Sequence, residues 1–599
     1  MTILVAAAEH NDRLADRGLA PPYGYFLERI SYAIVLSPGG DVADVTPLLE
    51  SDGKKPKAKL LAVPKDPRTT RTSGVQPFFL WDKTAYVLGI TAQASQRLTR
   101  EHDAFKALHE EALDGTNDEG LRALLAFLRS WTASRFVDPP FPAAMLDTNV
   151  VFRLDGQRGY LHDRPAARTI WTRMLASPDD ANGLCLVTGE RAPIARLHPA
   201  IKGVYGTQSS GASIVSFNLD AFTSYGKEQG ENAPVSERAA FAYTTALSHL
   251  LRPGSRNRVQ IADASTVFWA ETEPAEAVVR GFLDPPAPDD EGEAARVRDV
   301  LDKIQAGRPV EDAAPGVDEK TRYYVLGLSP NAARISVRFW HQDTLGHLAE
   351  RFREHWADLA IQPLPWRTAP AVWWLVAQTA REARFENEAA RRAAAHVSGE
   401  LMRAILSGAR YPRSLLAAVV MRMRADRRVN GMRAAICKAC LARDFRKGIE
   451  KEDVPMGLNR EEPNAAYRLG RLFAVLESVQ SAALGNVNAT IRDRYYGAAS
   501  ASPASVFPLL LRGTRHHLAN LRKGRGAKWV KRPQLAAIWY EQEIGQILDG
   551  IGADLPRNLP LGDQGRFAVG YYHERFNPKK DAPEDVAAAN SAEFTEDEE

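Results

Sequence analysis

The first part of the chain alternates short apolar runs with turn residues, a pattern that predicts strands separated by tight turns. Runs of this kind lie at 24–63, 77–90, 142–160, 184–218, 261–271 and 320–340. Helical spacing of apolar residues separates them at 102–135 and 236–252. In 77–90 the run PFFLWDKTAYVLG predicts a strand, a turn and a second strand. We therefore predict a mixed α/β portion over residues 1–345.

The pattern changes after residue 345, where Ala, Arg and Leu dominate and apolar residues recur at the 3.6-residue period of a helix. Consecutive helices are predicted over 345–450, and further helices at 464–496, 505–522 and 534–549. We assign 346–455 to a basic helical region and 456–580 to a C-terminal helical bundle. The predicted fold class is α+β multidomain, with the mixed α/β portion followed by an all-α C-terminal portion.

The formal net charge of the 599-residue chain is +3, which is an average over segments of opposite sign. Residues 581–599 carry eight acids and no base, so we predict a disordered acidic tail. Without that tail the chain carries +11 and attracts polyanions, chiefly nucleic acid or an anionic membrane. No apolar stretch approaches the roughly 18 residues that span a bilayer, and three cysteines are typical of a reducing compartment. We therefore predict a cytoplasmic protein that binds nucleic acid and has no membrane partner.

The strongest concentration of positive charge lies at 401–450, which holds twelve Lys or Arg residues and three acids. Its candidates for contacts to a DNA backbone are Arg422, Arg424, Arg427 and Arg428. Such clusters neutralise phosphates and release counterions. The alternative is a solvated helix face whose arginine stems cover apolar surface. The scarcity of acids favours phosphate, because a merely solvated face usually mixes both signs.

A second basic run, 512–532, has eight bases and no acid. Its candidates for backbone contacts are Arg522, Lys523, Arg525 and Lys528. Trp529 beside them is suited to stack on a base. A loop between helices that is simply basic is the alternative interpretation.

Two loops of the N-terminal portion carry side chains suited to reading a DNA duplex. The candidates are Lys54, Lys55, Lys57, Lys59, Arg71, Thr72, Ser73, Lys202, Gln208, Ser209, Ser210 and Asn218. Amides and hydroxyls read base edges, and basic residues position the duplex through its phosphates. Within 184–218 we predict two apolar strands around a loop rich in Gly, Ser and Gln, and an ordinary hairpin connection is the alternative. The glycines of this loop fit neither a Walker A loop nor a dinucleotide-binding fingerprint.

The sequence predicts no catalytic constellation, no metal site and no cofactor. The dipeptide His102-Asp103 resembles that of metal-dependent phosphohydrolases, but further metal ligands at suitable positions are missing. Cys437 and Cys440 form a CxxC inside a helical run without two more ligands nearby, so we interpret them as ordinary helix cysteines. The alternatives to a non-enzymatic DNA-binding protein are a nuclease and a protein-binding scaffold.

Several long stretches carry a resemblance to one family. They are PPYGYFLERISYAIVL (21–36), KKPKAKLLAVPK (54–65), RTSGVQPFFLWDKTAYVLG (71–89), 185–247, VLGLSPNAARISVRFW (325–340), AAYRLGRLFAVLESVQ (465–480) and GRFAVGYYHERF (565–576). The chain resembles the large subunit of type I-C CRISPR surveillance complexes (Cascade), the Csd1-type family. The stretches span nearly the whole chain. Lys83 departs from the family pattern, which has an amide residue after FLWD.

The resemblance implies a non-catalytic subunit that recognises the protospacer-adjacent motif on double-stranded DNA, aids duplex opening, holds the displaced strand and recruits a helicase-nuclease. The implied partners are the CRISPR RNA ribonucleoprotein with its backbone and handle-processing subunits, the target DNA, the helicase-nuclease and an internally initiated small subunit. Met456 is a suitable internal start and Met432 is the alternative. RNA-guided recognition leaves most sequence reading to base pairing, which agrees with many basic residues and one small polar loop.

Overall fold

The structure, a computed structural model, describes residues 2–51, 56–68, 74–92, 96–175, 182–286, 291–381, 388–485, 487–552 and 554–577. Two compact units make up the chain. The first comprises Met1–Lys202 and Ser209–His249, and the second comprises Gly203–Gln208 and Leu250–Glu599. The boundaries that we predicted at residues 345, 455 and 580 stay predictions.

The elements up to residue 251 mix short strands with helices. The helices are α1 (Ile3–Asp16), α2 (Thr84–Val87), α3 (Leu98–Ala112), α4 (Glu119–Ser130), α5 (Pro165–Leu175) and α6 (Glu237–Leu251). The strands are β1 (Tyr25–Ile30), β2 (Tyr32–Leu36), β3 (Val42–Pro47), β4 (Leu49–Ser51), β5 (Pro56–Pro64), β6 (Trp81–Lys83), β7 (Asn149–Leu154), β8 (Asn182–Leu184) and β9 (Arg191–Pro193). Short 3-10 helices lie at Ala133–Val137, Ala143–Met145, Leu161–Asp163, Asp220–Phe222 and Gln229–Asn232.

The first unit is built on a four-stranded mixed sheet in the order β3-β2-β7-β6. Its inner strands β2 and β7 run parallel, whereas β3 and β6 pair antiparallel at the edges. Strand β2 is buried along its whole length, so it reads as a continuous apolar run. Apolar side chains of α3 and α4, such as Phe105 and Phe127, share a core with Phe152 of β7. A second sheet has the order β1-β5-β4.

Helix α2 replaces the second strand that we predicted within 77–90, so that prediction is wrong. Strand β7 begins at Asn149, which is the partner of Lys83, the last residue of β6. The residues after Lys83 therefore have no strand to pair with. The side chain of Thr84 accepts a hydrogen bond from the Asp147 backbone N–H at 2.9 Å and fixes the start of α2.

The apolar strands predicted within 184–218 are also largely wrong. The three-residue strands β8 and β9 pair with each other at the start of this segment, and a single antiparallel bridge joins Ile201 to Ala212. Cys185 follows β8 in a tight turn. The Cys185 Sγ accepts backbone hydrogen bonds from Val187 at 3.4 Å and from Thr188 at 3.5 Å. These bonds to sulfur hold the backbone in a turn and prevent an extended conformation.

The elements after residue 251 are one small sheet and thirteen helices among the described residues. The strands are β10 (Arg258–Ile261), β11 (Ala264–Ala270), β12 (Arg322–Asn331) and β13 (Arg334–Thr344). The helices are α7 (Glu273–Leu283), α8 (Glu293–Gln305), α9 (Val310–Ala313), α10 (Leu345–Leu359), α11 (Val372–Ala377), α12 (Glu388–Ser407), α13 (Arg413–Asp426), α14 (Gly431–Arg446), α15 (Ala465–Leu484), α16 (Ile491–Ala499), α17 (Pro503–Arg522), α18 (Pro533–Ile551) and α19 (Leu561–Phe576).

The second unit joins an antiparallel sheet, β10-β11-β12-β13, to the helices through one apolar core. The predicted hairpin at 320–340 is confirmed as β12 and β13, and the predicted helices from 345 onward are confirmed as α10 to α18. The predicted fold class, α+β with a mixed N-terminal portion and a helical C-terminal portion, is therefore confirmed.

Helix α15 is the centre of the C-terminal helices and contacts α16, α17, α18 and α19. Its closest neighbour is α19, because glycines let the two backbones meet. A Cβ at Gly470 would lie 2.0 Å from the Phe567 carbonyl oxygen, and one at Gly570 would lie 2.1 Å from the Tyr467 carbonyl oxygen. Both distances are far below van der Waals contact, so the packing of α15 on α19 requires glycine at both positions.

Candidate nucleic-acid interface

At least seven of the twelve bases in 401–450 are held by groups of the protein itself. They include Arg403, Arg410, Arg422, Arg433, Lys438, Arg443 and Arg446. Arg443 of α14 is fully buried, and its Nε lies 2.6 Å from Asp358 Oδ2 at the end of α10. Arg446, one helical turn later, donates to the same carboxylate at 2.6 Å. These guanidiniums serve the packing of α14 against α10.

The scarcity of acids within 401–450 was therefore a misleading argument for phosphate binding. Asp358 lies outside the run, 85 residues before Arg443. Within the run, Asp426 pairs with both Arg422 at 3.3 Å and Arg433 at 2.8 Å. Asp358 and Asp426 thus each bind two guanidiniums. Counting charges along the sequence misses this sharing, because it ignores acids such as Asp358 that lie near the run only in the folded protein.

Three of our candidates in this run, Arg424, Arg427 and Arg428, are exposed where α13 ends. Arg427 caps the helix in the left-handed conformation with φ of 56°. Arg424 donates to the Gln564 side-chain oxygen at 3.5 Å, a weak contact. This turn gathers guanidiniums at the surface, whereas Arg422 of the same set is half-buried and paired.

The second basic run forms the end of α17, the turn after it and the start of α18. Six exposed bases lie here without an ion pair to any acid in the described part of the chain, and we call them the α17–α18 basic surface: Arg512, Arg515, Lys523, Arg525, Lys528 and Lys531. Arg522, the remaining candidate of this run, is exposed but pairs with Glu541. Since the six bases lack acidic partners, the surface has a positive potential available to a polyanion.

The turn inside this surface is anchored by its backbone. The Arg525 N–H donates to the Asn520 carbonyl at 2.9 Å, and the Ala527 N–H donates to the Ala482 carbonyl of α15 at 2.8 Å. Gly524 takes a φ of 74°, which favours glycine. Trp529 follows with 36% of its surface exposed. An aromatic ring held among exposed bases is the arrangement that single-stranded nucleic acid binds through stacking and phosphate contacts.

The candidates in the first basic loop are only partly described. Lys54, Lys55, Arg71, Thr72 and Ser73 lie outside the described residues. Lys57 is exposed on β5 opposite Glu50 of β4, and Lys59 is half-buried opposite Ile30 of β1. The predicted strand at this place is confirmed as β5.

The loop after Ile201 presents the predicted reading residues to solvent. Gln208, Ser209, Ser210 and Asn218 are all exposed. The loop is closed by two backbone hydrogen bonds between Ile201 and Ala212, at 2.9 and 3.0 Å. Lys202 is exposed at its base, with its Nζ 3.9 Å from a Glu28 carboxylate oxygen. The closure makes this segment a compact loop rather than the connection of a long hairpin.

The His102-Asp103 dipeptide and the CxxC of Cys437 and Cys440 were the two candidates for metal or catalytic chemistry. His102 lies on α3, where its Nδ1 is 2.9 Å from the Tyr86 carbonyl oxygen, and Asp103 beside it is exposed. Cys437 and Cys440 are buried in α14, where burial raises the pKa of Cys437 to about 12. In the described part of the chain, no three His, Cys, Asp or Glu side chains are grouped to hold a metal ion. No helix there is long and apolar enough to cross a bilayer.

Sequence reasoning missed two kinds of residue. Arg512 and Arg515 were left out of the candidates although their spacing of three residues places them on one face of α17. Asp358 was missed because nothing in the sequence around it indicates that it contacts arginines of α14. The first pair was accessible from the sequence, whereas the partner of Arg443 required the fold.

The sequence model of a family described as CRISPR-associated protein (Cas_Csd1) matches residues 4–577. A search of curated proteins finds no match to this chain.

Proposed function

Because the chain belongs to the Cas_Csd1 family of CRISPR-associated proteins, we propose that it is the non-catalytic large subunit of a type I-C Cascade complex. In this proposal it recognises the protospacer-adjacent motif on double-stranded DNA, aids duplex opening, holds the displaced strand and recruits the helicase-nuclease. Its partners are the CRISPR RNA ribonucleoprotein with its backbone and handle-processing subunits, and an internally initiated small subunit.

The observation that carries the DNA-holding role is the α17–α18 basic surface. Its six bases have no acidic partner among the described residues, while more than half of the bases in 401–450 bind other groups of the protein. Trp529 adds a face for stacking. Basic groups with an aromatic platform bind a strand without reading its sequence, which is what holding a displaced strand requires.

The test is the salt dependence of single-stranded DNA binding by the full chain. The variant carries Lys523→Ala, Arg525→Ala and Lys528→Ala, and the control carries Arg308→Ala, an exposed base elsewhere in the second unit. Loss of three phosphate contacts should lower the slope of log K against log salt by about 2. The control should bind as the parent chain does. Equal slopes for the triple variant and the control would remove this surface from the proposal.

The non-catalytic part of the proposal has its own test. The purified chain is incubated with labelled duplex and single-stranded DNA in Mg²⁺, Mn²⁺ or Ni²⁺. We expect intact DNA in every case. Cleavage by the parent chain that is abolished in the His102→Ala, Asp103→Ala variant would favour a nuclease instead.

A further inference from the structure

Residues 581–599 are the strongest charge feature of the sequence that the proposed function leaves unused. They hold eight acids and no base, and Phe594 lies among the acids. The α17–α18 basic surface offers the opposite composition: six exposed bases around the exposed ring of Trp529. On α18 next to it, Leu535 and Ile538 are 48% and 50% exposed. The two segments are complementary in charge and in apolar content.

The last described residues lie close to α18. Helix α19 ends at Phe576, and the Arg471 guanidinium joins Glu574 of α19 at 3.1 Å to Glu543 of α18 at 3.7 Å. Glu543 is ten residues from Pro533, the first residue of α18, which corresponds to about 15 Å along a helix. The chain from Asn577 to residue 599 extends to at most about 70 Å. A path from the end of α19 to the basic surface is therefore short compared with the available chain.

The bases of the second unit differ in what they offer to acids in 581–599, and exposed ones such as Arg308, Arg427 and Lys447 also lie outside the α17–α18 basic surface. Arg443, Arg433 and Arg471 are buried with carboxylate partners. The bases of the α17–α18 basic surface are exposed and have no acidic partner in the described part of the chain. Opposite charges at high local concentration associate even when each pair is weak, because the linker turns binding into an intramolecular step.

We propose that residues 581–599 bind in cis to the α17–α18 basic surface and compete there with the nucleic-acid backbone. The segment supplies carboxylates in place of DNA phosphates, and its Phe594 offers Trp529 an aromatic ring in place of a base. This inference rests on the proposed role of the same surface in holding DNA. Its consequence is selectivity: weak, non-specific DNA is excluded, whereas a strand delivered by guide pairing at high local concentration displaces the acidic segment.

The contact itself is tested without DNA. The full chain is treated with a zero-length carbodiimide, which joins Lys to Glu or Asp only when they touch, and the products are mapped by mass spectrometry. We expect links from Lys523, Lys528 or Lys531 to acids in 581–599. Mixing equal amounts of ¹⁴N and ¹⁵N chains separates cis from trans, because links within one chain join only like-labelled peptides. Mixed-label pairs at the frequency of random pairing would overturn the cis contact. Links confined to other lysines would overturn the site.

The competition is tested by a double-mutant cycle on DNA affinity. One arm ends the chain at Asn577, and a length-matched control keeps residues 578–599 with every Asp and Glu of 581–599 changed to Asn or Gln. Both should bind a short non-specific strand roughly tenfold tighter at 50 mM salt, with the gain lost at high salt. In the Lys523→Ala, Arg525→Ala, Lys528→Ala background the same changes should gain less than twofold.

The outcomes distinguish this inference from the proposed function. A gain of the same size in both backgrounds shows a general effect of net charge and overturns docking on this surface. If removal of the acids changes nothing while the triple variant still binds DNA less well, the acidic segment is not a competitor and the DNA-binding role stands. If the triple variant binds DNA as the parent does, the role of the surface in holding DNA fails, and the crosslinks alone decide the contact.

Discussion

Asp358 accepts hydrogen bonds from Arg443 and Arg446 at 2.6 Å each. Arg443 also donates to the Ala409 carbonyl at 2.9 Å and to the Tyr411 hydroxyl at 3.0 Å. The hydrogen-bond donors of this fully buried guanidinium depend on all of these acceptors together. At the scale of single residues, the same arginine-rich run therefore contains side chains that hold the fold and side chains that face solvent.

Removal of the Asp358 carboxylate should destabilise the fold far more than removal of a base that faces solvent. In Asp358→Ala the Arg443 charge stays buried without a counter-ion, so the free energy of unfolding should fall by about 3–5 kcal/mol. Lys447→Ala, at an exposed base in the same run, should change it by less than about 0.5 kcal/mol. Urea unfolding followed by circular dichroism measures both. A loss for Asp358→Ala as small as that for Lys447→Ala would show that the buried pair is not needed.

Two classes of DNA contact should separate in the same way. Gln208→Ala or Asn218→Ala should weaken binding only to targets with the correct adjacent motif, since amides read base edges. Arg427→Ala with Arg428→Ala should weaken binding to every target and lower the salt slope, since guanidiniums meet phosphates. Binding of the assembled complex to matched duplexes with and without the motif measures both. Identical behaviour of the two variant sets would contradict this division of roles.

At the scale of elements, the approach of α15 to α19 depends on Gly470 and Gly570. These glycines sit inside helices, where alanine is intrinsically favoured by about 1 kcal/mol. The structure overrides that preference because a Cβ at either position would overlap a carbonyl oxygen of the opposite helix. A helix propensity scale therefore predicts the wrong sign for a substitution at these positions.

Gly470→Ala or Gly570→Ala should lower the free energy of unfolding by about 1–3 kcal/mol through overpacking. The matched control is Gly513→Ala on α17, where a Cβ would meet nothing within 4 Å. The control should be neutral or more stable by up to about 1 kcal/mol. Thermal and urea unfolding compare the three variants with the parent. Stabilisation by Ala at Gly470 would mean that the two helices are further apart than described.

The elements that sequence predicted correctly are those whose pattern is local. Helices α10 to α18 and the hairpin of β12 and β13 follow from residues adjacent in the chain. Helix α2 could not be predicted in this way, because its start is set by β7, whose first residue, Asn149, lies far along the chain from Lys83. In the candidate interface the exposed turn at Arg525 was predictable from a run without acids. The internal use of Arg443 was not, since its partner comes from another helix.

At the scale of the whole molecule, five buried histidines and the half-buried His198 are neutral in the fold. Burial lowers their pKa from 6.5 to about 3 or 4: His10, His109, His162, His198, His355 and His573. His109 shows the reason most clearly. Its Nε2 accepts a hydrogen bond from the Leu80 N–H at 2.8 Å, and its Nδ1 lies 2.7 Å from the Phe105 carbonyl. Protonation of Nε2 would point its new N–H at the Leu80 N–H, so that two donors would face each other without an acceptor.

These histidines predict a protein that loses stability in mild acid. The unfolded chain takes up protons below pH 6.5, whereas the folded chain does not until about pH 4. The free energy of unfolding should therefore fall as pH drops through that window and be fully retained above it. Urea unfolding at pH 7.5, 6.0 and 5.0 measures the fall. His109→Gln should reduce the slope with pH even if it lowers stability at pH 7.5. An unfolding free energy independent of pH from 7.5 to 5.0 would contradict the buried neutral state.

The pairing of α15 with α19 also sets an order for synthesis. Helix α15 is complete at Leu484, but its closest partner ends at Phe576, which a ribosome reaches about 5–20 s later. Throughout that interval the nascent chain carries an apolar helix without the backbone contacts of Gly570. Such exposed apolar surface is what chaperones bind and what aggregates when they are scarce. The described helices of the second unit are therefore complete only when α19 arrives, and a ribosome that pauses between α15 and α19 holds the chain in its most vulnerable state.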